Sequence, residues 1–184
     1  MKAYLQRIYY WINSIEYEII DNVLNENEFL SIKNILLSNT FDWYFSKVLI
    51  NDLIDFPIQN LDDHDMVFFH LFYHVRLQTP TTSRYLNVLD PILNYLNPDV
   101  LIRVKANMYP RTNEIEHHGK HTDYKFKHRG ALFYINTNDG LTILDDGTEV
   151  ESVENRLILF DSSKPHNSTT CTNTTCRITI NLII

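Results

Sequence analysis

His121, Asp123 and His166 are the residues of this chain whose types and spacing could do chemistry. Two neutral imidazoles and one carboxylate hold Fe(II) on one face of its coordination sphere, and they leave the other positions open for a co-substrate and O2. Arg177 lies eleven residues beyond His166. Its planar guanidinium could clamp the far carboxylate of a 2-oxo acid bound to the metal. The four residues together form a candidate iron site with a neighbouring anion clamp.

Strand periodicity explains how these side chains could meet. Residues i and i+2 of a β-strand point to the same face, so His121 and Asp123 can both reach one site. In the last predicted strand, residues 176–184, Arg177 and Thr179 share a largely polar face, and the opposite face is apolar throughout. We expect the apolar face to pack against another layer and the polar face to look at water or at a site.

The order His-x-Asp, long gap, His, short gap, Arg resembles the Fe(II)- and 2-oxoglutarate-dependent dioxygenases. The likeness is to their prolyl 4-hydroxylase-like branch, covers about residues 100–182, and leaves residues 1–99 matched only in general layout. Asp replaces the first Gly of the family's Gly-Gly step at Asp139. The segments that carry the resemblance are Asn107–Pro110, His121–Asp123, Phe133–Asn136, Asp139–Thr142, Val153–Phe160, Pro165–His166 and Arg177–Thr179.

The resemblance implies a definite chemistry. It predicts Fe(II), 2-oxoglutarate as co-substrate and O2, with hydroxylation of a C–H bond and release of succinate and CO2. His121, Asp123 and His166 would be the metal ligands and the catalytic centre. The predicted co-substrate-binding residues are Arg177, Tyr134, Thr179 and Tyr109. The small size and high Asn content suit a phage or viral member.

The substrate is not fixed by these residues. Peptidyl proline is the nearest analogy, and a peptide, a small molecule or a nucleotide are all compatible partners. One alternative is oxidation of a nucleobase or small metabolite by the same chemistry. Another is a non-catalytic β-sandwich binding protein that kept the fold, against which the complete ligand set and Arg177 argue.

Hydrophobic periodicity places helices in the first half of the chain and strands after them. A helix is predicted over residues 26–38, and a second over 83–96, in which Pro91 either kinks the helix or begins a new first turn. Strands are predicted at Tyr17–Asp21, Tyr44–Ile50, Val67–Val75, Val100–Met108, Ala131–Asn136, Leu141–Leu144, Arg156–Phe160 and Cys176–Ile184, with turns at Asn138–Gly140 and Asp145–Gly147.

These elements predict a mainly β protein with packed helices (α+β), whose core is a double-stranded β-helix, a cupin-like jelly roll. We expect one domain over residues 1–184, with a helix-rich part at about 1–99 and the metal and co-substrate core at about 100–184. A chain of 184 residues is long enough to bury its own core.

Charge and composition exclude some classes of function. The net charge of -7 disfavours a broad electrostatic grip on nucleic acid. Polar residues interrupt Met1–Ile20, so a signal peptide or membrane span is not expected there. The expected location is the cytoplasm, or the host cytoplasm if the protein is viral. Cys171 and Cys176 are predicted to be reduced structural thiols, with a disulfide as the minority alternative.

Other polar residues near the motifs have two interpretations. His117 and His118 compete with His121 for the metal, but neither is followed by Asp two residues on, and His70 and His74 are expected in the core or a second layer. A basic loop surrounds the proposed metal strand and is either a solvated loop or a rim that attracts acidic groups. Its residues are Lys120, Lys125, Lys127, His128 and Arg129.

Overall fold

The computed structural model describes residues 17–46, 66–75 and 80–184. The first described strands are β1 (Tyr17–Ile20), β2 (Tyr44–Ser46), β3 (Val67–His74), β4 (Thr81–Thr82) and β5 (Arg103–Pro110). The later ones are β6 (Arg129–Tyr134), β7 (Asn138–Ile143), β8 (Glu149–Ser152), β9 (Leu157–Asp161), β10 (Asn167–Ser168) and β11 (Cys176–Ile183). The helices are α1 (Glu26–Leu36), a 3-10 turn (Leu86–Leu89) and α2 (Asp90–Leu96).

Two antiparallel sheets face each other. The larger has the order β1-β9-β6-β11-β5-β3-β2, with β4 added beside β3, and the smaller has the order β10-β7-β8. β11 is central, because it pairs with β5 on one side and with β6 on the other. The polar residues of β5 and β11 therefore lie side by side on one face of the larger sheet.

The helices cover the other face of the larger sheet. Asn25 caps α1, since its side-chain oxygen accepts a hydrogen bond from the Glu28 backbone N–H at 3.0 Å. The buried face of α1 joins the main core, where Phe29 meets Phe133 edge to face at 6.0 Å between ring centroids. The helices therefore cover one face of the larger sheet, and the opposite face is left for the site.

The alternation predicted for β11 is confirmed. Ile178, Ile180 and Leu182 lie in the main core, whereas Arg177 and Thr179 line a cavity between the two sheets. A strand that is buried on both faces but apolar on only one needs polar partners or a ligand on the other. The opposite face of β11 therefore belongs to the site.

The predicted elements are mostly present, with local differences. The helix expected over 83–96 is divided, because Pro91 stands in the first turn of α2 rather than inside a continuous helix. Asn138–Gly140 is not a turn but the start of β7, where the pairing with β8 shifts register. The turn at Asp145–Gly147 is confirmed, with Gly147 at φ 86°.

Two further predictions concern the thiols and the membrane. Cys171 and Cys176 are free, as predicted. Of the described helices, none combines the length and the apolar character that a membrane crossing requires. Residues 1–16, the first part of the segment in which no signal peptide or membrane span was expected, lie outside the described residues.

Candidate metal and co-substrate site

A cavity, partly open to solvent, lies between the two sheets. Most of the residues that line it have polar side chains. The described residues that line it are Arg103, Lys105, Asn107, Tyr109, His118, His121, Asp123, Leu132, Thr142, Phe160, His166, Asn167, Ser168, Arg177, Thr179 and Asn181.

His121, Asp123 and His166 come together at one end of this cavity. One potential ligand atom from each lies within 4.8 Å of the others. The backbones of His121 and His166 exchange two N–H to carbonyl hydrogen bonds, each 2.9 Å long, and the Asp123 N–H donates to the Ser162 carbonyl at 3.1 Å. The site therefore joins two segments that are more than forty residues apart in the chain.

The local conformation differs from the predicted strand. His121 forms an isolated bridge with His166, and residues 122 and 123 are not in a strand. The alternation of an extended segment still brings His121 and Asp123 to the same side, as the i, i+2 spacing predicted. What holds the segment is its pairing with the His166 segment, rather than membership in a regular sheet.

Each of the two histidine rings is oriented by the backbone carbonyl two residues earlier in the chain. Nδ1 of His121 lies 3.2 Å from the Gly119 carbonyl oxygen, and Nδ1 of His166 lies 3.0 Å from that of Lys164. A carbonyl oxygen only accepts, so each Nδ1 carries the proton and each Nε2 keeps a free lone pair. Burial lowers the pKa of His166 below its ordinary value, which favours the neutral ligand form.

Asp123 is 3% exposed and is held by two polar side chains. The Arg103 guanidinium donates to one carboxylate oxygen at 2.5 Å, and the Asn181 amide lies 3.5 Å from the other. Burial alone would raise the pKa of Asp123, but the charge of Arg103 and the nearby imidazoles outweigh burial and lower that pKa. The carboxylate is therefore ionised and fixed in position before any cation binds.

Arg177 forms the opposite end of the cavity and is fully buried, at 0% exposure. Its Nε donates to Ser152 Oγ at 2.8 Å, and its Nη2 donates to Thr142 Oγ1 at the same distance. Its guanidinium also lies 5.5 Å from the ring centroid of Tyr109 and 5.8 Å from that of Tyr134. Neutral hydroxyls and aromatic rings thus surround the cation.

No acidic side chain of residues 17–46, 66–75 or 80–184 forms an ion pair with Arg177. A buried charge without a counter-ion is costly, because several kcal/mol of solvation are lost on burial and are recovered only by a well-placed opposite charge. The cavity beside Arg177 is therefore built to receive an anion.

Tyr134 lies behind Arg177. Its hydroxyl donates to Thr142 Oγ1 at 2.8 Å, and it is Thr142 that lines the cavity. Gly140 leaves room for the Arg177 side chain, because a Cβ at this position would lie 2.5 Å from Arg177 Cδ and 2.6 Å from the Thr170 carbonyl oxygen. The structure thus places Tyr109 and Thr179 on the cavity wall. Co-substrate binding by Tyr109, Thr179 and Tyr134 stays a prediction.

Sequence reasoning missed His118 as a site residue. Its ring stacks on Tyr109 at 4.8 Å between centroids, and its Nδ1 lies 2.8 Å from Ser168 Oγ. Its Nε2 is buried with no hydrogen-bond partner in the described structure. Burial, with the nearby charge of Arg177, lowers the pKa of His118 to about 4. The sequence places His118 three residues before His121. That spacing predicts a position in the cavity wall only when the conformation of the loop is known.

The remaining histidines have structural roles or lie outside the cavity. His117 is exposed and does not line the cavity. His70 is buried, with its ring nitrogens 2.6 Å from the Asp42 carbonyl oxygen and 2.7 Å from Ser83 Oγ, which is the core role that the sequence predicted. His74 Nε2 lies 3.0 Å from the Tyr124 hydroxyl, in a second layer.

The basic loop is smaller than its sequence suggested. Lys120, Lys125 and Lys127 are exposed, but His128 is buried and Arg129 belongs to β6. Phe126, between two of the lysines, is 52% exposed. The loop thus presents three lysines and an aromatic ring to solvent, and its role as a rim stays a prediction.

Comparison with known proteins rests on structure alone. No protein-family model matches the sequence, and no curated protein matches it. A Trichoplax adhaerens prolyl hydroxylase bound to a hypoxia-inducible-factor peptide fragment matches with a TM-score of 0.60 at 12% identity, over 100% of this chain and 92% of that one. A prolyl-4-hydroxylase from Pseudomonas putida matches with a TM-score of 0.59 at 13% identity, over 98% of both chains.

A third similar structure is that of HygX from Streptomyces hygroscopicus, determined with nickel, 2-oxoglutarate and hygromycin B. It has a TM-score of 0.56 at 12% identity and covers 97% of this chain and 86% of that one. These similarities extend over nearly the whole length of each chain. Because the sequence identities are low, they show the fold and not the activity. The chain therefore has the jelly-roll fold of the 2-oxoglutarate-dependent Fe(II) oxygenases, as its sequence predicted.

Proposed function

We propose that this protein is an Fe(II)- and 2-oxoglutarate-dependent dioxygenase that hydroxylates a C–H bond of its substrate. The observation that carries the proposal is the position of Arg177 at one end of a cavity whose other end holds His121, Asp123 and His166. Arg177 is fully buried and has no acidic partner among the described residues. A dianion that binds a metal through one carboxylate and a guanidinium through the other satisfies both ends. 2-Oxoglutarate is such a dianion, and the fold is that of proteins that use it.

The three proposed ligands fit Fe(II). Two imidazoles with free Nε2 atoms and one ionised carboxylate are the facial set typical of non-heme Fe(II) oxygenases. When bound, the metal would supply O2 activation coupled to decarboxylation of 2-oxoglutarate. Arg103 and Asn181 orient the Asp123 carboxylate, which reduces the rearrangement needed on binding.

The other cavity residues would hold the co-substrate. Arg177 provides a bidentate, charge-assisted contact to the distal carboxylate, and Thr142 and Ser152 fix the guanidinium by accepting from its other N–H groups. The Tyr109 ring contacts both the His118 ring and the Arg177 guanidinium, and it forms an aromatic part of the cavity wall. If Ser168 Oγ donates to His118 Nδ1, the proton of the neutral imidazole lies on Nε2, which can then donate to a co-substrate oxygen.

Peptidyl proline is the substrate class that we propose first. Two of the similar structures are prolyl hydroxylases, one of them with a peptide bound. Oxidation of a small molecule is the second candidate, because HygX, of similar fold, was determined with hygromycin B in place. Both candidates require the same metal and co-substrate chemistry.

Titration of the purified protein with Mn(II) and then with 2-oxoglutarate tests the shared chemistry. We expect one metal per chain and a 2-oxoglutarate affinity that depends on Arg177. Succinate release with Fe(II) and candidate peptides or small molecules then separates the two substrate classes. A protein that binds neither metal nor 2-oxoglutarate would be a non-catalytic β-sandwich instead.

A further inference from the structure

Lys105 occupies the metal end of the cavity and is not used by the mechanism above. β5 places Arg103, Lys105 and Tyr109 on the same face by strand alternation, and all three line the cavity. The register pairs Tyr109 with Arg177 and Lys105 with Asn181. Because two residues advance a strand by about 7 Å, Lys105 lies about 14 Å along β5 from Tyr109. It is therefore near the metal ligands and far from the co-substrate clamp.

The Lys105 ammonium has no polar partner among the residues that the structure describes. Its Nζ lies 5.1 Å from the ring centroid of Phe69 on β3, and it makes neither a hydrogen bond nor an ion pair there. Burial and the charge of Arg103 lower the pKa of Lys105 to about 8, and the negative charge of Asp123, which makes no ion pair with Lys105, offsets them only in part. At pH 7 the amine is thus mostly protonated, partly desolvated and held by a ring face alone.

The charges of the cavity do not balance. Of the described residues that line it, Arg103, Lys105 and Arg177 are cationic and Asp123 is the acid. The two positive charges of Fe(II) and the two negative charges of 2-oxoglutarate cancel, so loading leaves the excess of two positive charges unchanged. Asp123 contacts Arg103, and the co-substrate would face Arg177. Of the three cations, Lys105 has neither contact among the described residues.

We propose that the substrate carries a carboxylate or phosphate group close to the carbon that is oxidised, and that Lys105 binds this anionic group. The inference rests on the proposed function and narrows its substrate class: a prolyl peptide would need an acidic or phosphorylated residue beside the oxidised one, whereas an anionic small molecule would carry the group itself. The Phe69 ring lies against the ammonium, which supplies a point charge for either a planar or a tetrahedral anion. The neighbouring amides of Asn107 and Asn181 line the same part of the cavity and can donate to the anion.

The test uses the full-length protein loaded with saturating Mn(II) and 2-oxoglutarate, so that Arg177 is already occupied. Sulfate serves as the probe for a phosphate group and acetate as the probe for a carboxylate, at constant ionic strength with chloride. Thermal unfolding and titration calorimetry are recorded for wild type, Lys105→Met, Lys105→Arg and Lys33→Met. Lys33 is the matched control, because it pairs with Glu154 on the far side of the main core.

We expect sulfate or acetate to bind wild type and Lys33→Met equally, and to bind Lys105→Met at least tenfold more weakly. Lys105→Arg should recover most of the binding. The probe that binds more tightly identifies the anion as phosphate-like or carboxylate-like. Equal binding to wild type and Lys105→Met would overturn the inference. So would a tenfold loss of 2-oxoglutarate affinity in Lys105→Met, since the lysine would then belong to the co-substrate pocket.

The two hypotheses fail in different ways. If wild type binds Mn(II) and 2-oxoglutarate but shows no anion binding that depends on Lys105, the inference alone is wrong. If 2-oxoglutarate does not bind to wild type, the proposed function is wrong and the inference falls with it. Retained 2-oxoglutarate binding also shows that each lysine variant is folded.

Discussion

Replacing Arg177 with methionine should have opposite effects on the free and the co-substrate-bound protein. The substitution removes a fully buried cation that has no acidic partner in the described chain. Replacing buried charges with apolar side chains of similar volume is often neutral or stabilising, by up to about 4 kcal/mol. Ser152 and Thr142 keep other hydrogen bonds, to the Gly140 carbonyl and the Tyr134 hydroxyl. The free energy of unfolding of the free protein should therefore be unchanged or higher.

The bound protein should lose its stabilisation. Two charge-assisted hydrogen bonds to the distal carboxylate are worth roughly 3 kcal/mol at the low end, which is about a hundredfold in Kd. At a 2-oxoglutarate concentration of 100 times the wild-type Kd, wild type gains about 2.7 kcal/mol by mass action, whereas the variant gains only about 0.4 kcal/mol. Arg177→Lys should fall between them, because a point charge remains without the bidentate geometry.

Urea unfolding of the Mn(II)-loaded protein, with and without 2-oxoglutarate, measures both effects. Arg156→Met is the matched control, since Arg156 pairs with Asp21 at 2.6 Å, away from the cavity. That variant should lose the ion pair but keep the full response to 2-oxoglutarate. Equal stabilisation of wild type and Arg177→Met by 2-oxoglutarate would refute the reasoning, because the co-substrate would then be anchored elsewhere.

Three further predictions concern the metal, the clamp and the pH dependence of stability. His166→Ala should abolish binding of one Mn(II) per chain in calorimetry, whereas His117→Ala, an exposed residue, should not. Gly140→Ala should cost about 1 to 3 kcal/mol in urea unfolding and weaken 2-oxoglutarate binding, because the new Cβ meets Arg177 Cδ at 2.5 Å. His118→Gln should flatten the loss of stability between pH 6.5 and 4, since the pKa of His118 falls from 6.5 to about 4 on folding.

The sign of the pH effect follows from proton linkage. Between the two pKa values the unfolded state binds the proton and the folded state does not, so stability falls as pH falls from 6.5 to 4. The full contribution of His118 is on the order of 3 kcal/mol. An unchanged pH slope in His118→Gln would contradict this.

Metal binding by His166→Ala with wild-type affinity would remove His166 from the ligand set. A Gly140→Ala protein with normal 2-oxoglutarate affinity would show that Arg177 can be displaced without loss of co-substrate binding.

Much of the site was predictable because it depends on local spacing. The i, i+2 relation of His121 and Asp123 needs only an extended chain, and the alternation of β11 needs only period two. The start of α1 followed from the cap at Asn25 and the apolar spacing of its buried face, and the helix ends at Leu36, two residues before the predicted end. Asn138–Gly140 was assigned wrongly, because the same residue types that form turns also form the bulge that opens β7.

Residues that act through long-range contacts could not be assigned in this way. Arg103 precedes Asp123 by twenty positions and Asn181 follows it by 58, and neither belongs to a recognisable motif. His118 looked like a competing metal ligand, yet its ring lies against Tyr109 with Nδ1 turned to Ser168. Such roles depend on strand register and on which side chains line the same cavity, and local sequence patterns predict neither.

The sequence by itself determined the types of the reactive groups and the face of the chain on which each lies, because both follow from residue identity and backbone period. Only the tertiary structure decided which charges are left without a partner. The pairing of β5 with β11 gives Asp123 the guanidinium of Arg103 and leaves Arg177 and Lys105 without acids among the described residues. Whether a buried charge is satisfied is a property of the whole three-dimensional neighbourhood, since desolvation and Coulomb energy depend on distance and not on sequence separation.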